Sequence, residues 1–146
     1  MKPARVRLAL LVTGLAVVVG IPVAGRLARP DPGELCAFDG QAIEPAYRVR
    51  VTDRDGREFS FCCVHCAQLW LAQRDDPPAA VVVTDEASGE PIEARVAFFV
   101  RSAVVTNAVT GNRVHAFRDR AAAEEHARAF GGWVLTGDER PFPPER

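Results

Sequence analysis

Three of the chain's four cysteines, Cys62, Cys63 and Cys66, fall within five residues of one another in the run Phe61-Cys62-Cys63-Val64-His65-Cys66-Ala67-Gln68-Leu69-Trp70. The fourth, Cys36, opens the segment Leu35-Cys36-Ala37-Phe38-Asp39-Gly40-Gln41. Packing alone is a poor account of this cluster, because the adjacent side chains of Cys62 and Cys63 are expected to point in different directions and not to share one core. Thiols this close are expected to be metal ligands, redox groups or disulfide partners. The rest of the chain is expected to be built to present these sulfurs.

Local patterns supply the elements. Ala46 to Asp53 alternates, with Tyr47, Val49 and Val51 on one side and Arg48 and Arg50 on the other, which predicts a half-buried strand. Asp53-Arg54-Asp55-Gly56 provides turn residues and Glu58 to Phe61 continues the alternation, so 46–61 is predicted as a hairpin. From Val64 to Arg74 the apolar residues recur at helical spacing. A helix therefore starts inside the cysteine cluster, ends at Asp75-Asp76-Pro77-Pro78, and is followed by a short apolar strand from Ala79 to Thr84. After the turn-rich stretch Asp85 to Glu90 the order repeats. Ile92 to Val100 and Val114 to Phe117 read as strands, Asp119 as a helix N-cap, Arg120 to Phe130 as an amphipathic helix, Gly131-Gly132 as its stop and Trp133 to Leu135 as a last strand. The expected fold class is α+β, with two tandem ββα(β) units packed together, since each is too small to bury a sizeable core alone. Trp70 and Trp133 are assigned to that core. His126, on an apolar helix face with Ala122 and Phe130, reads as a hydrogen-bonded core histidine, and His65 and His115 read as surface residues.

Met1 to Arg7 carries Lys2, Arg5 and Arg7, and Leu8 to Gly25 then runs 18 residues without a charge. As a helix this run reaches about 27 Å, close to the hydrocarbon thickness of a bilayer. It exceeds the apolar region of about 7–15 residues usual in a signal peptide. A transmembrane helix is therefore expected, with cleavage after Val23-Ala24-Gly25 as the alternative. The basic leader favours a cytoplasmic N-terminus and an extracytoplasmic domain, single-pass in the cytoplasmic membrane. Arg29-Pro30-Asp31-Pro32-Gly33 is a stiff spacer. The expected organisation is an anchor and its flanks over 1–29, a cysteine-containing unit over 30–84, and a second unit with its tail over 85–146. Beyond Arg29 there are 13 basic against 19 acidic side chains and no basic stripe, which argues against nucleic acid as a partner.

The Cys62-x3-Cys66 spacing puts one sulfur just before a helix and the other in its first turn, where the positive end of the helix dipole favours thiolate. Cys36 is then a third sulfur for a soft metal ion. Asp39 either completes the ligand set or belongs to an ordinary Asp-Gly turn. Two other readings stay open. An extracytoplasmic address permits disulfides, so the four cysteines would staple a binding module. Cys63-Val64-His65-Cys66 is also the Cys-x-x-Cys of a thiol-disulfide oxidoreductase, although a hairpin precedes it where that chemistry usually has a buried parallel strand. Haem attachment is disfavoured, because Ala67 follows Cys66 where a histidine is needed.

Phe61-Cys62-Cys63-Val64-His65-Cys66 with Trp70 resembles the Phe-Cys-Ser-x-x-Cys-x-x-x-Phe element of TRASH and YHS metal-handling domains, and Cys36 to Gln41 resembles their Cys-x-x-Cys-Gly-Met opening. The run Val83 to Arg95, then Phe98-Phe99-Val100 and the alanine-rich helix ending in Gly131-Gly132, is similar to NosL, a family of nitrous oxide reductase accessory proteins that carry copper(I) outside the cytoplasmic membrane. The likeness runs over about 35–137. It implies paired ββα units and a non-enzymatic role in metal delivery or cofactor assembly for a client metalloenzyme or assembly factor. It also implies Cys36, Cys62 and Cys66 as ligands, Cys63 as an auxiliary or exchange ligand, and copper(I) ahead of zinc as the ion. The chain departs from the pattern at Asp39, where the opening has its second cysteine, and at Gln41, where it has methionine. Val109 stands where NosL-like chains often have another methionine, and Met1 is the chain's one methionine. A thiolate-rich set without thioethers is expected to retain copper(I) more firmly and to discriminate less against Zn²⁺.

Overall fold

The computed structural model describes residues 35–142, so the membrane helix expected over 8–25 lies outside the described residues. Among the described residues no helix is long and apolar enough to cross a membrane. The first hairpin forms where the alternation predicts it. Strand β1 (Val49–Thr52) pairs antiparallel with β2 (Glu58–Phe61), with Val49 opposite Phe61 and Thr52 opposite Glu58. Its turn closes on Asp53, whose Oδ1 accepts the N–H groups of Asp55 and Arg57, each at 2.9 Å. Val49 and Val51 are fully buried, each stabilising the fold by about 1.5–3 kcal/mol.

The other edge of β1 pairs with β3 (Ala80–Thr84), and β3 pairs with β4 (Pro91–Glu93), giving a four-stranded antiparallel sheet in the order β2-β1-β3-β4. Helix α1 (Val64–Leu71) connects β2 to β3. The second sheet is built from β5 (Phe98–Arg101), β6 (Val114–Phe117) and β7 (Trp133–Val134), in the order β6-β5-β7 and again antiparallel, with helix α2 (Arg120–Ala129) between β6 and β7. In both sheets the first strand of the unit is central, flanked by the second strand and by the strand after the helix. The described chain is thus α+β, with two antiparallel sheets and two helices.

The single strand expected over 92–100 is two strands that belong to different sheets. Between them, Ala94 and Ala97 are buried in a tight reversal, and the guanidinium of Arg140 donates to the carbonyls of Ala94, Arg95 and Ala97 at 3.2, 2.9 and 3.1 Å. Small side chains let the backbone turn inward, and the arginine satisfies carbonyls that a continuous ladder would have paired. Trp133, expected in the core, is 51% exposed on the short edge strand β7, whereas Trp70 packs on Phe59 and Phe61 with ring centroids 4.6 and 5.3 Å away. Asp119 sits at the N-cap of α2, but its side chain makes no capping hydrogen bond.

One core cluster spans both sheets, joining Val49, Val51, Phe61 and Val83 of the first to Phe99, Val114, Ala116 and Leu135 of the second. A smaller cluster of Val100, Phe117, Ala123 and Ala127 lies between the second sheet and α2. The connector after β3 laces the sheets together. The Glu86 N–H donates to the Ala116 carbonyl at 3.0 Å, and Glu86 Oε1 accepts the Ala116 N–H at 3.2 Å. Asp85 Oδ1 accepts the Arg118 N–H at 3.1 Å.

Candidate metal centre

The segment from Cys36 to Gln41 is a closed turn. The Cys36 N–H donates to the Gln41 carbonyl at 2.8 Å, the Gly40 N–H to the Cys36 carbonyl at 2.9 Å, and Asp39 Oδ1 accepts the Gln41 N–H at 3.0 Å. Gly40 adopts φ +71°, which its lack of a Cβ makes inexpensive. The Ala37 N–H donates to the Ser60 carbonyl at 2.8 Å, fastening the turn to β2 just before the cysteine corner. At that corner Cys63 is extended, with φ −166° and ψ 168°, and α1 begins at Val64. The change of direction brings Cys62 back over the first turn of the helix, with its sulfur 3.5 Å from that of Cys66.

Asp39 Oδ2 stands 3.2 Å from Cys66 Sγ and 3.7 Å from Cys62 Sγ. Including Cys36, the four potential ligand atoms all lie within 4.8 Å of one another. At metal–sulfur bonds of about 2.3 Å, thiolates on a trigonal or tetrahedral ion stand roughly 3.8–4.0 Å apart, so the cluster needs only small adjustments to close on one ion. All four cysteines are free and buried, whereas Asp39 is half-buried. Asp39 makes the expected turn with Oδ1 and turns Oδ2 toward the sulfurs.

Cys63 does not converge with this group. Its sulfur lies 3.9 Å from Cys62 Sγ and 3.5 Å from Thr110 Oγ1. Contrary to the expectation from adjacency, Cys62 and Cys63 share one core cluster. Strand alternation ends at the corner, and both faces of the corner are covered by protein. His65 lies exposed on α1, as the helical pattern indicates.

In the metal-free protein, burial works against the preference for thiolate at a helix start. Burial pushes the Cys62 and Cys66 thiols well above the usual range. For Cys62 the charge of Cys63 adds to this, and for Cys66 the hydrogen bond to Asp39 does. The balance at Asp39 is opposite. Burial raises it, but hydrogen bonds from the Gln41 N–H and from the thiols of Cys36, Cys66 and Cys62 outweigh that and hold its carboxyl below the ordinary range. The site at rest is a carboxylate accepting from thiols, and a metal ion has to displace those protons.

Two features were not visible in the sequence. Asn107 Nδ2 donates to Cys62 Sγ at 3.2 Å across 45 residues, from the loop in which the family resemblance draws attention to Val109 and not to Asn107. His115 is 1% exposed and not a surface residue: all four positions of β6 are buried, because the second sheet is covered on both faces. Its Nδ1 pairs with Glu86 Oε2 at 2.8 Å, and its Nε2 lies 3.1 Å from Ser102 Oγ. The same hydroxyl lies 3.2 Å from Nε2 of the half-buried His126. This network lies outside the cysteine site and ties the connector to β6.

The family model for NosL matches residues 30–141. The HTH-type transcriptional repressor CutR of Bacillus subtilis (strain 168) is 24% identical over 110 residues, which cover 75% of this chain and 58% of that protein. The chain thus spans less than two thirds of that relative's length. The crystal structure of the copper chaperone NosL from Shewanella denitrificans has a similar fold, with a TM-score of 0.64 and 21% identity over 77% of this chain and 93% of that one.

Proposed function

The chain belongs to the NosL family, and from that premise we propose that it is a copper(I)-binding accessory protein serving a metalloenzyme or its assembly factor. The family resemblance points to the nitrous oxide reductase system as the client, and the similar fold from Shewanella denitrificans is that of a copper chaperone. The observation that carries the reading is the convergence of Cys36, Cys62 and Cys66 with Asp39 within 4.8 Å. Three sulfurs select a soft ion, and one carboxylate oxygen is a weak partner for copper(I) but a good one for Zn²⁺. Copper(I) is then the cargo and zinc its main competitor. We further propose that residues 8–25, an uncharged run behind a basic leader, hold the chain in the cytoplasmic membrane with the site on the extracytoplasmic side.

The test is metal loading of the full chain, purified without oxygen, with copper(I) and Zn²⁺ competing for it. A single copper(I) per chain that protects Cys36, Cys62 and Cys66 from alkylation is expected. Failure to bind either ion with every thiol reduced overturns the reading. Carbonate washing and thiol labelling from outside the cell test the topology, which fails if the full-length protein is soluble in the cytoplasm. The oxidoreductase reading rests on Cys63-Val64-His65-Cys66, whereas the cysteine sulfur that stands 3.5 Å from that of Cys66 is that of Cys62. Thiol-disulfide exchange that turns over and needs Cys63 and Cys66 would favour it.

A further inference from the structure

We infer that Asn107 is a positioning residue of the metal centre: its side-chain amide donates a hydrogen bond to Cys62 Sγ, so a loop of the second unit helps set the affinity of the cysteine site in the first. This rests on the metal-binding reading above and names a residue that the ligand set leaves out.

The geometry fixes the donor. Asn107 Nδ2 lies 3.2 Å from Cys62 Sγ. Its Oδ1 accepts the N–H groups of Val109 at 2.9 Å and Thr110 at 3.0 Å. With the oxygen committed to the turn, the NH₂ group is the end that faces the sulfur, which settles the amide orientation from the network itself. The loop holding it is built to stay in place. Asn107 and Asn112 form an antiparallel bridge, the Gly111 N–H donates to the Asn107 carbonyl at 2.8 Å, and the Thr106 N–H to the Asn112 carbonyl at 2.8 Å. The buried Asn112 side chain donates to the Val114 carbonyl at 3.1 Å, tying the loop to β6. Asn107 is half-buried.

The chemistry gives the contact a direction. Among the described residues, the polar neighbours of Cys62 Sγ are Cys36, Asp39, Cys63, Cys66 and Asn107, and of these side chains only that of Asn107 offers an N–H. Three thiolates and a carboxylate around a monovalent ion leave surplus negative charge in a buried place, where charge without compensation is costly. A thiol is a weak acceptor, while a metal-bound thiolate is an anionic one that takes a stronger hydrogen bond. The Asn107 contact therefore strengthens on loading and raises metal affinity.

The test uses the full-length protein in detergent without oxygen, with Asn107→Asp, Asn107→Ser and Thr110→Val. Both Asn107 variants keep an oxygen that can accept the turn N–H groups and lose the amide N–H; aspartate adds a charge and serine keeps a shorter O–H, so each serves as a control for the other. Thr110→Val removes a hydroxyl that lies 3.5 Å from Cys63 Sγ and accepts the Asn112 N–H at 3.3 Å, and it keeps the Thr110 N–H that Asn107 Oδ1 accepts. Copper(I) affinity is read by competition with a chromophoric chelator, folding by the urea midpoint, and the contact itself by the side-chain amide proton resonances of Asn107. Both Asn107 variants should lose about tenfold in copper(I) affinity at an unchanged urea midpoint, with Thr110→Val losing less than either. The Asn107 amide resonances should move on loading and also shift in the metal-free Cys62→Ser variant. Unchanged affinity in both Asn107 variants, or a loss matched by an equal fall in stability, overturns the inference. If the wild type takes up no copper(I), the metal reading falls. The metal-free amide response to Cys62→Ser then decides the hydrogen bond by itself, and no response overturns it.

Discussion

Cys62 and Cys63 are chain neighbours, both buried, yet they face different partners. Cys62 meets Asp39 and Cys66, and Cys63 meets Thr110. Single Cys→Ser variants should separate them. Loss at position 62, 66 or 36 removes a ligand and should lower copper(I) affinity by more than the roughly 10–100-fold typical of an outer-shell partner, with Cys63→Ser at or below that range. A larger loss at position 63 than at position 62 would reverse the assignment. The thiols also fix the pH response. Burial first, then Cys63 for Cys62 and Asp39 for Cys66, raises both thiols in the fold. An acid raised on folding contributes stability below its unfolded value, about 8.5 for cysteine, and that contribution is lost as pH rises above it. The urea midpoint of the metal-free protein should therefore fall above about pH 8.5. Copper(I) affinity should move the other way and strengthen with pH, since binding releases the thiol protons. A flat urea midpoint through this range would contradict the protonated resting site. Cys36, Cys62, Cys66 and Asp39 were legible because sulfur spacing and an Asp-Gly turn are local signals. Asn107 was not legible, because only the packing of two units brings it to a sulfur 45 positions away.

Elements were readable wherever one face is buried and one is wet. The hairpin of β1 and β2 and the amphipathic α2 follow their periodicities, and their ends shift by only a few residues. The reading failed between positions 92 and 100. Alternation there continues across a reversal whose carbonyls are satisfied by Arg140, far along the chain. It failed again at His115, because a strand covered on both faces carries no alternation. Gly131-Gly132 signalled a helix stop, and the two glycines act by different means. Gly131 takes φ +60° with open space around it, whereas a Cβ on Gly132 would collide with the Arg101 carbonyl and Ser102. Gly131→Ala should cost about 1 kcal/mol for its left-handed backbone. Gly132→Ala should cost more, about 1–3 kcal/mol, because β5 backbone has to move. Urea denaturation compares them, and equal costs would mean that β7 gives way without resistance.

At the scale of the molecule, one core spans the two sheets, while the ligands come from the first unit and the Asn107 loop from the second. The connector at Glu86 and the His115 pair on β6 hold that arrangement. Exposure around the ligands is uneven: the three sulfurs are 0–3% exposed, and Asp39 alone is half-buried. On the proposed copper(I) reading this asymmetry predicts a rate law. An acceptor would reach the ion by replacing the carboxylate, its weakest partner for a soft ion, so handover would pass through a complex in which donor and acceptor hold the ion together. In stopped-flow experiments the observed rate should rise with acceptor concentration, and compact thiol acceptors should outpace bulky chelators of equal affinity. If every acceptor removed the ion at one common, concentration-independent rate, the ion would be leaving unaided, and the half-open carboxylate would not be the way out.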